Sequence, residues 1–313
     1  MSNILRPGTF GGEARAPPAA VNRSVLERSL ERGGGVGGSG GSHRSEVFVD
    51  VLERLTVTFN GAGYLLTSEV DGAIQCKSFL VGNPQIRVAL NEDLQVGSAA
   101  VSAAAYEERG AQACVLDDCT FHDSVAPDGF ELDRTLLLTP PAGEFTLMHY
   151  RSSAPFRPPF RVTPSLAEPG PYKLDVTVQL AADYPAGNAA SGVTLRVPLP
   201  KCTSHVSLTC GSPGSGQAAE FDEVKKELTW TFKRLPGQTE HVLRCRCTLT
   251  QERCSSAKRE VGPVSLAFTL PNYSVSRLNI RFLQVLARQR PGADPPARWV
   301  RYLTQSSSYV CRL

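Results

Sequence analysis

The alternation of apolar and polar positions begins abruptly at Glu46. One parity of the following stretch holds Val47, Val49, Val51, Leu55, Val57 and Phe59, and the other holds Phe48, Asp50, Leu52, Arg54, Thr56 and Thr58. A period of two in residues that are largely β-branched indicates one long β-strand with a buried face. Asn60-Gly61-Ala62-Gly63 then predicts a turn, and Tyr64 to Glu69 predicts the start of a return strand.

The same alternation continues in shorter segments. A second turn is expected at Asp71-Gly72, before a strand from Ala73 to Leu80. Further strands are predicted over 85–91, 114–121, 135–138, 143–150, 172–180, 192–197, 206–210, 227–232, 242–250, 264–269, 278–286 and 299–303. The Ala-rich stretch 99–113 is interpreted as an exposed loop, and the proline-dense stretch 155–164 as a joint between two lobes. Many short strands without a long amphipathic helix predict an all-β sandwich.

Composition excludes several classes of protein. The 313 residues suffice for one large or two ordinary domains, and a formal net charge of +3 is too balanced for a nucleic-acid binder that works by bulk charge. Nine cysteines, an odd number without a secretory leader, are interpreted as reduced cytosolic thiols. Charged residues interrupt every apolar stretch before roughly 18 residues, so any membrane association is expected to be peripheral.

Residues 1–43 are predicted to be a disordered linker, because they are rich in Pro, Gly and Ser and poor in apolar residues. The run from Gly33 to Ser42 contains both a GxGxxG and a GxSxG spelling. It neither follows a strand nor opens a helix, so both spellings are attributed to low complexity.

No catalytic or metal site is indicated. Cys245-x-Cys247 and Cys114-x4-Cys119 lack the paired spacing of a zinc site, and alternate cysteines on a strand are typical of core packing. The five histidines are scattered, and no motif pairs one of them with a nucleophile. We therefore expect no enzymatic activity, no metal and no cofactor, although convergent catalytic sites leave no sequence signature.

The stretch from Ala297 to Leu303 holds the most suggestive surface. In a strand, Trp299 and Arg301 share one face and Val300 lies on the other. An aromatic wall beside a guanidinium can hold another aromatic ring and fix its polar tip. The alternative is an ordinary half-buried Trp/Arg pair.

Five segments, in the order in which they occur, match the sequence pattern of a known protein family. They are Glu46-Val47-Phe48-Val49-Asp50-Val51, Asp71-Gly72-x-Ile74-x-x-Lys77-Ser78-Phe79-Leu80, Asp117-Asp118-Cys119-Thr120-Phe121-His122, Pro140-x-x-Gly143-Glu144-Phe145-x-Leu147-Met148-x-Tyr150 and Arg298-Trp299-Val300-Arg301-Tyr302. In order and spacing they resemble the mu homology domain of clathrin-adaptor medium chains, over residues 44–313. Gly262 to Ser265 and Thr304 to Val310 resemble the branch found in the fourth adaptor complex of plants and algae.

The resemblance implies an elongated, all-β, two-subdomain antiparallel β-sandwich. Subdomain B, residues 158–274, would be inserted into subdomain A, residues 44–157 and 275–313. It also implies recognition of Tyr-x-x-Φ sorting signals, where Φ is a bulky apolar residue, in cytosolic tails of transmembrane cargo. The expected setting is the cytoplasmic face of trans-Golgi and endosomal membranes and coated vesicles, in vesicle-mediated transport.

The resemblance also assigns two pockets by matching positions. The tyrosine pocket would be Phe48, Asp50, Lys77, Trp299 and Arg301, and the Φ pocket would be Val47, Val49, Ile280, Leu283 and Val300. Peptide residues three apart point to opposite sides, and the strand positions of the two sets have opposite parity. Asp50 is expected to accept the phenol proton while Lys77 and Arg301 orient its carboxylate. The alternative is an ordinary Asp-Lys-Arg surface network.

Two features depart from the family pattern. The longin-like domain that precedes the linker in relatives is not matched here, which leaves assembly with large and small adaptor subunits open. At a possible second signal face, Phe121 and Glu131 match, but His149 stands in place of an arginine.

Three hypotheses follow for the function of the chain. The first is a cargo-binding adaptor subunit. The second uses the same fold as a lipid-surface or scaffold module through Lys/Arg patches, and the third is a hydrolase or thiol enzyme.

Overall fold

The chain folds almost entirely into β-strands. The computed structural model describes residues 45–97, 113–126, 128–211, 216–250, 257–286 and 295–313. Its strands are β1 (Glu46–Phe59), β2 (Leu65–Phe79), β3 (Gln85–Ala89), β4 (Gln95–Val96), β5 (Val115–Leu116), β6 (Asp118–Phe121), β7 (Val125–Ala126), β8 (Thr135–Leu138), β9 (Gly143–Ser152), β10 (Phe160–Gly170), β11 (Lys173–Ala182), β12 (Ala189–Pro198), β13 (Thr203–Cys210), β14 (Gln217–Asp222), β15 (Glu227–Pro236), β16 (Thr239–Leu249), β17 (Val264–Pro271), β18 (Phe282–Leu286) and β19 (Ala297–Cys311). Two short helices are α1 (Asp128–Asp133) and α2 (Ala257–Glu260). The all-β prediction is confirmed.

One long sheet forms the spine of the molecule. Its nine strands run in the order β14-β15-β12-β17-β19-β1-β2-β9-β6. Two four-stranded sheets, β10-β11-β16-β13 and β18-β3-β8-β7, contribute to two separate hydrophobic cores with it. The result is a two-lobed sandwich, as predicted.

Each lobe has its own hydrophobic core, and the longest strands contribute to both. The large core collects buried residues of β10, β11, β12, β15, β16 and β17 together with Leu55, Val57 and Tyr309. The small core contains Val47, Val49 and buried residues of β3, β8 and β9. β1 therefore runs from the small core into the large one.

The pairing of β1 with β19 is parallel, a departure from the expected antiparallel sandwich. The register runs from Glu46 opposite Ala297 to Phe59 opposite Cys311. Parallel neighbours need a long crossover connection, and the strands between β1 and β19 supply it. This pairing places the first predicted strand directly beside the Trp299 stretch.

The turn predicted at Asp71-Gly72 is wrong, because β2 continues through it from Leu65 to Phe79. A Cβ atom on Gly72 would lie 2.0 Å from Cζ of Tyr150, its cross-strand neighbour on β9. The glycine therefore provides room for an aromatic ring and does not reverse the chain.

Other strand boundaries differ in ways that depend on distant contacts. The stretch 114–121 divides into β5 and β6, which belong to different sheets, and 278–286 is a strand only from Phe282. β10 and β14 were not predicted, and β10 begins inside the proline-dense joint. The predicted linker 1–43 and nearly all of the predicted loop 99–113 lie outside the described residues.

Candidate functional site

The predicted tyrosine-pocket residues meet on the outer face of the long sheet. Register places Phe48 of β1 between Lys77 of β2 and Trp299 of β19. Two residues further along β1, Asp50 lies opposite Arg301. Side chains of the same parity on neighbouring strands point to the same face, so all five form one patch.

Aromatic rings form one wall of this patch. The rings of Phe48 and Trp299 are nearly parallel, with 14° between their planes and 6.4 Å between their centroids. Phe79 packs edge-on against Phe48 and is itself exposed. The indole Nε1–H of Trp299 is buried and has no hydrogen-bond partner among the described residues. The wall therefore offers apolar area and an unused donor.

Asp50 and Arg301 form the polar end of the patch. Nε of Arg301 donates to Oδ1 of Asp50 at 2.7 Å, and a second guanidinium nitrogen donates to Oδ2. Asp50 is only 6% exposed, whereas the side chain of Arg301 is 39% exposed. The hydrogen bonds to Asp50 raise the pKa of the Arg301 guanidinium. Each carboxylate oxygen keeps a lone pair, so Asp50 can still accept a hydrogen bond from a phenol hydroxyl.

Lys77 has a different partner from the one expected. Its Nζ lies 2.9 Å from Oε2 of Glu144 on β9, so it pairs with Glu144 and does not orient Asp50. Sequence reasoning missed Glu144 as a site residue. No local sequence signal marks it, because only the pairing of β2 with β9 sets Glu144 directly opposite Lys77.

The five predicted Φ-pocket residues also come together, on the inner face. Val47, Val49, Ile280, Leu283 and Val300 are each at most 7% exposed and belong to the small core. Two side chains hold this region together: the hydroxyl of Tyr302 accepts from Ile280 N–H at 2.9 Å, and Arg298 donates to the carbonyl of Leu283 at 3.0 Å. Arg298 links β19 to β18, and Tyr302 links β19 to the segment just before β18. Neither residue was singled out from the sequence for this role.

The possible second signal face is divided by the sheet. Phe121 on β6 pairs with Met148 of β9, and the neighbouring Thr120 pairs with His149. Cross-strand partners share a face and successive residues alternate, so Phe121 and His149 point to opposite faces. Phe121 contacts Phe130 of α1 at 4.7 Å between ring centroids, and Glu131 is exposed on that helix.

Burial makes Cys76 and Cys311 poor nucleophiles. The eight cysteines in the described part of the chain are free thiols. Burial raises the pKa of Cys76 to about 12 and that of Cys311 to about 11, so the reactive thiolate is disfavoured. Cys245 and Cys247 lie with their sulfur atoms 3.5 Å apart inside the large core.

Within the described residues, no cluster of His, Cys, Asp and Glu side chains is placed to hold a metal ion. No helix there is both long and apolar enough to cross a membrane.

Comparison with known proteins decides the family. A sequence model of the adaptor complexes medium subunit family matches residues 40–313. The chain belongs to this family. Its relatives include the AP-4 complex subunit mu of Arabidopsis thaliana, 43% identical over 302 residues, and the AP-4 complex subunit mu-1 of Homo sapiens, 34% identical over 338 residues. The resemblance to medium chains of the fourth adaptor complex is thereby confirmed, and this is a family of adaptor subunits, not of enzymes.

The chain spans about two thirds of the length of these medium-subunit relatives. The chain spans 64% of the Arabidopsis protein and 68% of the human one, while those alignments cover 96% and 100% of this chain. Among solved structures, the yeast delta-COP-I mu-homology domain aligns with a TM-score of 0.61 at 13% identity, over 87% of this chain and 100% of that domain. The Danio rerio Fcho1 mu homology domain aligns with a TM-score of 0.56 at 12% identity, over 86% and 97%. These two likenesses establish the fold.

Proposed function

We propose that this chain contains the cargo-recognition part of an adaptor medium subunit and binds Tyr-x-x-Φ signals in cytosolic tails of membrane proteins. It would act peripherally on trans-Golgi and endosomal membranes and coated vesicles, with large and small adaptor subunits as partners. The observation that carries the proposal is the Asp50–Arg301 pair set beside the Phe48–Trp299 wall. An apolar slot ending in a charged acceptor favours tyrosine over phenylalanine.

A free strand edge supports an extended peptide at this place. β17 pairs with β19 only from Leu303 onward, and the N–H of Asn272 donates to the carbonyl of Tyr302. In the described chain, residues 297–301 therefore have a strand neighbour, β1, on one side only. A peptide added along that edge would make main-chain hydrogen bonds and turn alternate side chains to opposite faces. Its tyrosine would face the outer patch, and its Φ residue would enter between β18 and β19 toward Leu283 and Val300.

Peptide complexes of other mu homology domains agree with a peptide-binding role. Solved mu homology domains include one complexed with a Dsl1 WxWxV peptide and one with a bound Eps15 peptide. We also keep the division into subdomain A, residues 44–157 and 275–313, and inserted subdomain B, residues 158–274, as part of the proposal. The tyrosine patch then lies wholly in subdomain A.

The test is calorimetry on the full chain with peptides that carry Tyr-x-x-Leu, Phe-x-x-Leu or Tyr-x-x-Ser. Wild type should prefer the first, and Trp299→Ala should abolish measurable binding because the aromatic wall is lost. Tyr172→Ala, which removes an exposed aromatic ring in the other lobe, should bind like wild type.

Equal affinity of wild type for all three peptides would refute the proposal. Binding to anionic vesicles together with no affinity for any tyrosine peptide would favour the lipid-surface alternative.

A further inference from the structure

A small cavity, the junction cavity, lies where the two lobes meet. Its volume is about 70 Å³, which gives room for a few waters or for one small polar group. One wall is the segment 273–277, which follows β17, and its last residue immediately precedes Leu278 of the small core. The opposite wall is apolar and comes from residues just after β9, namely Ala154, Pro155 and Phe156.

The buried carboxylate of Glu53 holds the first wall in place. The hydroxyl of Ser274 donates to Oε1 of Glu53 at 2.8 Å, and the backbone N–H of Val275 donates to Oε2. At the end of this wall, Arg277 has a φ of 64°, in the left-handed region that a residue with a Cβ atom rarely adopts. Its carbonyl oxygen accepts a hydrogen bond from Nδ2 of Asn91 at 3.1 Å. The wall is therefore formed before any ligand arrives.

Three side chains with N–H or O–H donors line the cavity: Arg157, Tyr273 and Arg277. Within the described ranges, the Arg277 guanidinium and the Tyr273 hydroxyl have no hydrogen-bond or ion-pair partner. The side chain of Arg157 is 74% exposed, and its pair with Asp183 is long at 3.6 Å. Burial and the charge of Glu53 raise the pKa of Tyr273, so its hydroxyl stays a donor. The charges of Arg157 and Arg277 act on that pKa in the opposite direction, so both lie near the hydroxyl.

The charges around the junction cavity favour an anion. Of its lining residues in the described chain, the charged ones are both arginines. The hydroxyls of Ser274 and Ser276 already donate to Glu53, so the arginines and Tyr273 supply the donors that remain for a ligand. Guanidinium groups bind carboxylates and phosphates through paired N–H donors. The charges of Glu53 and Asp183 also reach this wall, so one negative charge is accommodated better than two.

We propose that the junction cavity binds the carboxylate of an Asp or Glu side chain from a partner protein, with a neighbouring apolar residue of the partner against Pro155 and Phe156. The ligand class is a short peptide segment that is both acidic and apolar. The site shares no residue with the tyrosine patch, so the inference goes beyond the proposed function and does not depend on it.

The test is an NMR titration of the isotope-labelled full chain with acetyl-Gly-Glu-Leu-Gly-amide and with its Gln and phosphoserine analogues. None of these peptides contains tyrosine. The Glu peptide should shift the backbone amide signals of Val275 and Arg277 in a saturable manner. The Gln peptide should bind at least about tenfold more weakly, because a neutral amide oxygen replaces the charged acceptor. The phosphoserine peptide should bind no more tightly than the Glu peptide.

Variants identify the residues that hold the carboxylate. Arg277→Gly should lower the affinity for the Glu peptide at least about tenfold. Glycine adopts the same φ without strain, so a damaged fold does not explain such a loss. Tyr273→Phe keeps the ring and should lower the affinity about two- to tenfold. Arg244→Gln, at an exposed arginine on β16, is the matched control and should bind like wild type.

Four results would overturn the inference. They are no saturable shift with the Glu peptide, equal affinity for the Glu and Gln peptides, unchanged affinity in Arg277→Gly, and shifts confined to residues around Trp299. Tighter binding of the phosphoserine peptide would overturn the assignment to a carboxylate and show a phosphate site. Each of these results leaves the proposed tyrosine-signal function standing, because that function is tested with different peptides.

Discussion

Asp50 shows how far a single residue could be interpreted from the sequence. Its parity with Phe48, and the resemblance of the segments around both, placed it in one patch with Trp299 and Arg301, and register brings these residues together. The partner of Lys77 could not be predicted in the same way. Glu144 reaches Lys77 through the pairing of β2 with β9, and that register depends on packing across the whole sheet.

Replacing Asp50 tests the chemistry of the tyrosine pocket. Asp50→Asn removes the charged acceptor, so affinity for a Tyr-x-x-Φ peptide should fall by about 1.5–3 kcal/mol, while affinity for the Phe-x-x-Φ peptide should change little. A peptide phosphorylated on its tyrosine should not bind wild type, because about two negative charges would enter beside Asp50. Calorimetry with the three peptides measures each difference.

Asp183→Asn is the control for this prediction. Asp183 is also a mostly covered aspartate held by an arginine, Arg161, but it lies in the other lobe. It should leave peptide binding unchanged. A difference between tyrosine and phenylalanine peptides that survives in Asp50→Asn would show that another group recognises the hydroxyl.

Among the elements, β2 shows why local turn signals can mislead. Asp-Gly between two alternating segments is a strong hairpin signal, yet here both residues lie inside one strand of 15 residues. The ring of Tyr150 packs directly over Gly72, so the glycine is required by a residue 78 positions later in the chain. A pattern confined to neighbouring residues contains no information about that contact. Long periodic strands such as β1 were predictable because their pattern repeats over many residues.

Gly72→Ala should destabilise the protein strongly. The new methyl group would overlap a buried ring whose hydroxyl is fixed by a hydrogen bond to Glu53, so the ring cannot simply move aside. We expect the free energy of unfolding to fall by about 3 kcal/mol in denaturant titrations. Gly170→Ala is the matched control, because a Cβ there meets no atom within 4 Å. Equal stability of the two variants would mean that Tyr150 does not occupy this position.

At the scale of the whole molecule, the two cores meet at a single buried carboxylate. Glu53 is 1% exposed and lies on β1 between Val51 of the small core and Leu55 of the large core. Its oxygens accept hydrogen bonds from Tyr150, Ser274, Thr304 and the backbone of Val275 and Ser276. Burial and the nearby Glu53 charge raise the pKa of Tyr150 well above its usual value, so its hydroxyl remains a donor. Glu53 thus ties β1 and β9 to the segment where the chain returns from the large core.

Glu53→Gln should weaken the coupling between the lobes as well as the overall stability. One amide oxygen cannot replace two carboxylate oxygens for this many donors, and we expect a loss of about 3 kcal/mol. The two tryptophans report on the lobes separately, because Trp230 lies in the large core and Trp299 at the tyrosine patch.

Single-tryptophan variants, Trp230→Phe and Trp299→Phe, make the measurement possible. In the wild-type background the two fluorescence transitions in denaturant should coincide, and with Glu53→Gln they should separate. Glu69→Gln, at an exposed ion pair, should keep them together. Coincident transitions in Glu53→Gln would show that the long strands alone couple the lobes.

The parallel pairing of β1 with β19 also has a consequence for biosynthesis. Asp50 and Arg301 are 251 residues apart, and β19 is the last of the described strands to leave the ribosome. At about 5–20 residues per second, β1 waits roughly 10–50 s for the strand that completes its sheet. Until then the backbone N–H and C=O groups along that edge of β1 have no strand partner, and such an edge is prone to pair with other chains. A chain that ends before β19 would lack Trp299 and Arg301, and with them two of the five residues of the proposed tyrosine pocket.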